Sequence, residues 1–76
     1  MDEIGQVSWK EFEKFLLSVG CQLKSQESSH RKYKKVGLRR PVIVPCRDRL
    51  PTHVILNNLR TLGISKEDFN RIMKNL

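Results

Sequence analysis

The sequence predicts one α+β domain with the element order α-β-β-β-α-α. Apolar residues recur at helical spacing in the first and last thirds of the chain, whereas the middle third holds short segments bounded by turn residues. These segments predict a three-stranded antiparallel sheet, with the helices on one face and the other face open to water. With 76 residues the chain has room for one domain. We expect residues 1–7, which show no periodicity, to form a flexible leader before a domain at residues 8–76.

The first helix is predicted to begin at Ser8. Ser8 and Glu11 form the S-x-x-E pattern of a capping box, in which each side chain binds a backbone amide of the other residue. Gly20 is a typical helix stop. The large residues at helical spacing between these signals are assigned to the core: Trp9, Phe12, Phe15, Leu16 and Val19.

Three strands are predicted at residues 21–26, 30–36 and 41–46. The third contains a β-branched Val-Ile-Val run flanked by prolines, which donate no hydrogen bond to a neighbouring strand. We therefore expect the third strand to lie at an edge of the sheet.

Strand alternation separates the basic side chains into two sets. His30, Lys32 and Lys34 share one face of the second strand, while Arg31, Tyr33 and Lys35 lie on the other, where Tyr33 is expected to face the core. The same rule, continued past the third strand, places Arg47 on the face of His30. These four residues define the open face that the sequence predicts.

Two helices are predicted in the last third of the chain. Pro51 fits the first turn of one, which stops at Gly63, and Ser65 with Asp68 resembles a capping box for the other. Their apolar faces are Ile55, Leu59 and Leu62 in the first and Phe69, Ile72, Met73 and Leu76 in the second.

Charge is concentrated in one quarter of the chain. Residues 31–49 hold eight of the fifteen basic side chains and one acidic one, whereas the remaining basic and acidic residues balance. Such a surface attracts a polyanion, and we expect RNA. The apolar runs are too short to cross a bilayer, so we expect no membrane partner and a cytoplasmic location. The sequence has no Gly-rich phosphate loop and no paired carboxylates suited to magnesium, so we expect the protein to bind neither a cofactor nor a metal ion.

His30 is the candidate catalytic residue, because histidine transfers protons near neutral pH and this one lies beside the basic segment. His53, near the start of the second helix, is a possible second acid or base. Cations would hold the charge that develops on a phosphate during cleavage. The candidate RNA-binding residues are Ser29, Arg31, Lys32, Lys34, Lys35, Arg39, Arg40, Arg47 and Arg49.

Three segments, in order, resemble the HicA-type toxin family. Residues 20–33, GCQLKSQESSHRKY, are similar to that family's helix-stop glycine, strand and G-S-H-x-x-aromatic signature. Residues 42–45, VIVP, resemble its V-x-V-P strand, and residues 59–69 resemble its closing L-(x)n-G-I-S-x-x-x-F pattern. The resemblance covers residues 8–76. It implies a double-stranded-RNA-binding-like fold, metal-independent cleavage of mRNA with His30 catalytic, and neutralisation by a HicB-type antitoxin.

The chain departs from the family pattern at three positions. The family usually has glycine at Ser28, an aromatic residue at Cys21 and a histidine at Arg47. Ser28 changes the turn before His30, and Arg47 replaces an imidazole by a permanent cation. Both changes favour a nuclease activity below that of the family. Two alternatives stay open: a non-catalytic RNA-binding module with weakened or lost nuclease activity, and a protein-interaction module that uses the exposed Ile43.

Overall fold

The computed structural model describes residues 4–76, and residues 1–3 of the predicted leader lie outside this part of the chain. The predicted element order α-β-β-β-α-α and the α+β fold are confirmed. No helix among the described residues is long and apolar enough to span a bilayer. The elements are α1 (Trp9–Ser18), β1 (Gln22–Glu27), β2 (His30–Lys34), β3 (Val42–Pro45), α2 (Thr52–Leu62) and α3 (Lys66–Lys74).

Helix α1 begins at the predicted capping box. The backbone amide of Glu11 donates to the Ser8 hydroxyl at 3.2 Å, and the Ser8 amide donates to the Glu11 carboxylate at 3.0 Å. Two hydrogen bonds to the Glu11 carboxylate, first from the Ser8 backbone amide and then from the Ser8 hydroxyl, keep the pKa of this carboxyl below its ordinary value. The helix ends at Ser18, and Gly20 follows with a φ of +96° that residues with a side chain rarely adopt.

The strands form one antiparallel sheet in the order β1-β2-β3, so β3 lies at an edge as predicted. Tyr33 on the central strand is paired with Leu23 on β1 and with Val42 on β3. Strand β2 is two residues shorter than predicted because the chain turns there: the amide of Leu38 donates to the carbonyl of Lys35 at 3.1 Å.

One face of the sheet is covered by the helices. Tyr33, as predicted, is fully buried on this face, and in the same core the rings of Phe15 and Phe69 pack edge to face with centroids 4.7 Å apart. Burial of such large apolar side chains supplies most of the favourable free energy of folding in a domain of this size. The other buried apolar residues are Val7, Phe12, Leu16, Cys21, Val42, Val44, Leu50, Ile55 and Leu59.

Residues 4–7 differ from the leader that the sequence predicts. Val7 is 6% exposed and belongs to the core, Ile4 packs against it, and the amide of Leu50 donates to the Val7 carbonyl at 2.7 Å. Two apolar residues three positions apart do not establish a periodicity, so sequence patterns alone could not identify this contact. The described end of the segment is therefore part of the packed domain.

Helix α2 covers the outer edge of β3. The side-chain amide of Asn58, 8% exposed, donates to the backbone carbonyl of Ile43 at 3.1 Å. Gly63 then ends α2 in the left-handed conformation, with a φ of +71°. The Ser65 hydroxyl caps α3 by accepting a hydrogen bond from the Asp68 amide at 3.1 Å, as the sequence predicts.

Candidate nucleic-acid interface

His30 is the first residue of β2 and follows a two-residue turn. Glu27, the last residue of β1, is its cross-strand partner, and Ser28 in the turn has a φ of +56°. The amide of Cys46 donates to the Ser29 carbonyl at 2.7 Å, which ties the turn to the end of β3. The His30 side chain is exposed on this anchored turn.

A bulge in β1 determines which of its side chains share a face with His30. Leu23 is paired with Tyr33 and Ser25 with Lys32, so that Lys24 is an extra residue between them. Cross-strand partners point to the same side of a sheet, which puts Ser25 and Glu27 on the face of Lys32 and His30. Strict alternation from Leu23 would have put Glu27 on the opposite face.

His30 borders an open depression of about 240 Å³. Glu27 lies across from it on β1, and Lys32 is the next residue along β2 on the same face. Ile43, paired with Lys32, is 39% exposed and supplies an apolar wall. The depression therefore brings together an imidazole, a carboxylate and an ammonium group, with Ser25 and Arg31 completing its lining.

A larger groove of about 610 Å³ adjoins this depression, and Lys32 lines both. Lys24 and Lys34 lie close together in the groove. A hydrogen bond that the Lys34 ammonium can donate only to the neutral amine of Lys24, followed by the repulsion of the two charges, lowers the pKa of Lys24. Four of the predicted RNA-binding residues besides Lys32 border the groove: Lys34, Lys35, Arg39 and Arg40. The structure therefore brings most of the predicted cations together on one surface.

Arg31 has its partners on the helix-covered side of the sheet. Its guanidinium donates to the carboxylate of Glu13 at 2.8 Å, to the side-chain oxygen of Gln26 at 2.7 Å and to the Tyr33 hydroxyl at 3.1 Å. It also lies 4.9 Å from the centre of the Trp9 ring, a cation–π contact. Because these contacts occupy the guanidinium, we leave Arg31 out of the RNA-binding set that the sequence suggested.

The Tyr33 hydroxyl completes this network by donating to the Glu13 carboxylate. Burial, followed by the hydrogen bond to Glu13, raises the pKa of Tyr33 to about 12. The phenol is therefore neutral throughout the ordinary pH range, and it holds Glu13 together with Arg31 beneath the sheet.

The remaining predicted residues lie elsewhere. Arg47 was expected to continue the alternation of β3, but the strand ends at Pro45, and the Arg47 amide donates back to the Pro45 carbonyl at 2.9 Å. Arg49 borders a separate depression beside residues 4–6, and His53 is exposed in the first turn of α2. These three side chains are absent from the described lining of the depression at His30 and of the groove.

Sequence reasoning missed three residues of this surface. Glu27 joins it only through the bulge, for which the sequence carries no clear signal, and Lys24, on the face opposite Leu23, borders the groove. Arg60 on α2 borders a depression with Arg39 and Arg40, and that contact depends on how α2 packs against the loop between β2 and β3. Among residues 4–76 there is no group of three or more His, Cys, Asp or Glu residues placed to hold a metal ion.

The fold and this surface define a small α+β protein with one helix-covered face and one open, strongly basic face. A family model described as HicA toxin of bacterial toxin-antitoxin matches residues 9–64, and the chain belongs to this family. It is therefore a toxin-family member of a toxin–antitoxin system, which implies a cognate antitoxin as partner. No curated protein and no solved structure matches the chain.

Proposed function

We propose that this protein is a metal-independent endoribonuclease that cleaves mRNA, with His30 as its general base or acid. The observation that carries the proposal is the exposed imidazole of His30 beside Lys32, in a depression that opens onto a groove lined by cations. The HicA family is known for toxins of the ribonuclease type, which agrees with this chemistry.

In the proposed reaction the RNA supplies its own nucleophile. His30 removes the proton of a ribose 2′-hydroxyl, and the 2′-oxygen bonds to the adjacent phosphorus while the bond from phosphorus to the 5′-oxygen breaks. The departing oxygen takes up a proton, leaving a 2′,3′-cyclic phosphate and a 5′-hydroxyl. Lys32 stabilises the negative charge that develops on the phosphate oxygens.

Glu27 is the best candidate for the second proton-transfer group. Its support is geometric: it is the cross-strand partner of His30, and it borders the same depression, whereas His53 lies on α2. Glu27 therefore replaces His53 in the proposal. One group of the pair takes the 2′ proton and the other returns a proton to the 5′-oxygen.

The test is cleavage of an end-labelled mRNA in the presence of EDTA by the wild-type protein, His30→Ala and His53→Ala. We expect His30→Ala to lose at least about 100-fold in rate, since general acid–base catalysis contributes roughly 10²–10⁴. His53→Ala, a matched loss of one imidazole, should cut at the wild-type rate, and the products should carry cyclic phosphate ends. Equal cleavage by the wild type and His30→Ala would refute the assignment of His30.

A non-catalytic RNA-binding module is the second candidate. It is favoured by Ser28, which holds a left-handed conformation beside His30 where the family usually has glycine, and by a groove whose cations do not depend on His30. If the wild-type protein and His30→Ala both bind RNA and neither cuts it, this function replaces the nuclease.

A further inference from the structure

Two cations outside the predicted set extend the basic surface of the open face. The depression at His30 and the groove share Lys32, and the groove in turn shares Arg39 and Arg40 with a third depression of about 510 Å³ bordered by Arg60. The three depressions therefore follow one another from the start of β2 to helix α2. We call their cations, apart from the Arg31 guanidinium that Glu13 binds, the basic track: Lys24, Lys32, Lys34, Lys35, Arg39, Arg40 and Arg60.

We propose that the basic track binds the phosphate backbone of a single-stranded RNA segment on one side only of the bond that is cut. This inference rests on the proposed function, because it takes His30 as the site of cleavage. His30 lies at one end of the track, and Lys24 and Arg60 are its new members. The bound RNA then extends from the β1–β2 turn across the sheet towards α2.

The ion pairs described for residues 4–76 do not use the track cations. Arg31 and Arg71 form ion pairs with Glu13 and Asp68, and no track cation takes part in either. No acidic residue appears in the described lining of the groove or of the third depression. The proximity of the Lys24 and Lys34 ammonium groups, unfavourable in the free protein, becomes favourable once a phosphate lies between them.

The length of the track requires several nucleotides. His30 and Lys34 are four residues apart along β2, a separation of roughly 13–14 Å at the rise of an antiparallel strand. Arg39, Arg40 and Arg60 lie beyond Lys34, on the loop after β2 and on α2. A ligand that reaches both ends must therefore carry a series of phosphates, which a mononucleotide lacks.

The chemistry of the track favours a nucleic-acid backbone over a protein. Protein interfaces are depleted of charge at their centre and enriched there in aromatic residues. The described lining of the groove and of the third depression is rich in cations and contains no aromatic residue. Without aromatic rings for base stacking, affinity comes from phosphates, so binding should tolerate any base sequence and depend steeply on salt.

The first test measures binding of fluorescein-labelled oligouridylate in a series of salt concentrations. All variants carry His30→Ala to prevent cleavage. We expect the pair Lys24→Gln and Arg60→Gln to weaken binding roughly two- to thirtyfold, the range for two exposed charge contacts. The slope of log K against log salt should become less negative by about 0.7 for each lost phosphate contact.

The control pair is Lys14→Gln and Lys74→Gln, which removes the same charge from exposed positions on α1 and α3. Equal effects of the two pairs would overturn the track, because binding would then depend on net charge alone. Unchanged RNA binding combined with weaker binding of the cognate antitoxin would also overturn it and identify a protein interface.

The second test uses cleavage by protein with an intact His30. RNAs of the same sequence are shortened on the 5′ side or on the 3′ side of the cut. We expect shortening on one side alone to raise KM, and the Lys24→Gln and Arg60→Gln pair to raise KM with kcat unchanged. Symmetric effects would refute the one-sided track. Binding by the wild-type protein without cleavage would instead refute the nuclease and leave the binding surface intact, so the two failures are distinguishable.

Discussion

The two faces of the sheet use the same kind of residue in opposite ways. Arg31 and Lys32 are adjacent in β2, and the chain gives both the same local composition. Arg31 lies against the helices, where Glu13 and Tyr33 bind its guanidinium, whereas Lys32 faces the open side between two depressions. Charge density alone therefore does not separate cations that stabilise the fold from those available to a ligand. The face of the strand on which a cation lies separates the two kinds.

The sharpest test of this comparison replaces each of the two residues by methionine. We expect Arg31→Met to lower the free energy of unfolding by about 2–3 kcal/mol, because it leaves the carboxylate of Glu13 without its cation. Fully buried pairs lose more, but these side chains are 16% and 26% exposed. Lys32→Met should change stability by less than about 0.5 kcal/mol and weaken RNA binding. Urea denaturation and oligouridylate binding measure both effects, and equal losses of stability would break the comparison.

Alkaline pH should weaken the helix-covered face through Tyr33. Its pKa is raised to about 12 in the folded protein, so the fold favours the neutral phenol. This stabilisation is complete below the ordinary pKa of about 10 and is lost as pH rises towards 12, because the unfolded chain ionises first. The expected loss is on the order of 2 kcal/mol.

The measurement is the free energy of unfolding of the wild type and Tyr33→Phe between pH 8 and pH 12, taken as a difference at each pH. Lysines titrate in both proteins and cancel in this difference. The gap between the two proteins should narrow above about pH 10. A constant gap would contradict the assigned role of the buried phenol.

Asn58 tests how the covered side protects the edge of the sheet. Asn58→Ala should lower the free energy of unfolding by about 1–2 kcal/mol, because it leaves the Ile43 carbonyl without its donor. Asn57→Ala is a suitable control, since Asn57 is the exposed neighbour on the same helix. Thermal unfolding of both variants distinguishes the buried hydrogen bond from the change in helix propensity, which alanine raises at both positions.

The smallest expected effect concerns the turn on the open side. Ser28→Gly should raise the free energy of unfolding by at most about 1 kcal/mol, since glycine adopts a φ of +56° more readily than serine, while its greater freedom in the unfolded chain offsets part of the gain. Ser29→Gly, in the same turn without a positive φ, should destabilise. If Ser28→Gly also increases cleavage, the strained turn limits the chemistry at His30.

Local signals predicted most of the fold, and long-range register limited the prediction of the site. The Ser8 capping box and the glycine stop at Gly63 lie within a few residues of what they determine, and both are confirmed. Glu27 joins His30 only through the bulge at Lys24, which reverses the faces of the residues after it. Arg60 approaches Arg39 only through packing of α2. Neither effect follows from the spacing of residues along the chain.

The burial of Tyr33 and the network of Arg31 mark a further limit. Strand alternation puts Arg31 on the same face as Tyr33, yet charge alone predicts Arg31 as an RNA contact. The covering residue is Glu13 on α1, eighteen positions before Arg31. Which acid neutralises a strand cation is decided by the packing of a helix on the sheet, and no local pattern records it.

Both edges of the sheet are also protected against pairing with a strand of another molecule. An unpaired edge strand is a template on which a second molecule can add its own strand, the first step of edge-to-edge aggregation. On β3 the Asn58 amide occupies the Ile43 carbonyl, and on β1 the bulge at Lys24 interrupts the regular ladder and adds a charge. The bulge that determines which side chains lie on the open face thus also protects the protein against self-association. We expect a variant of β1 without this bulge to form insoluble β-rich assemblies.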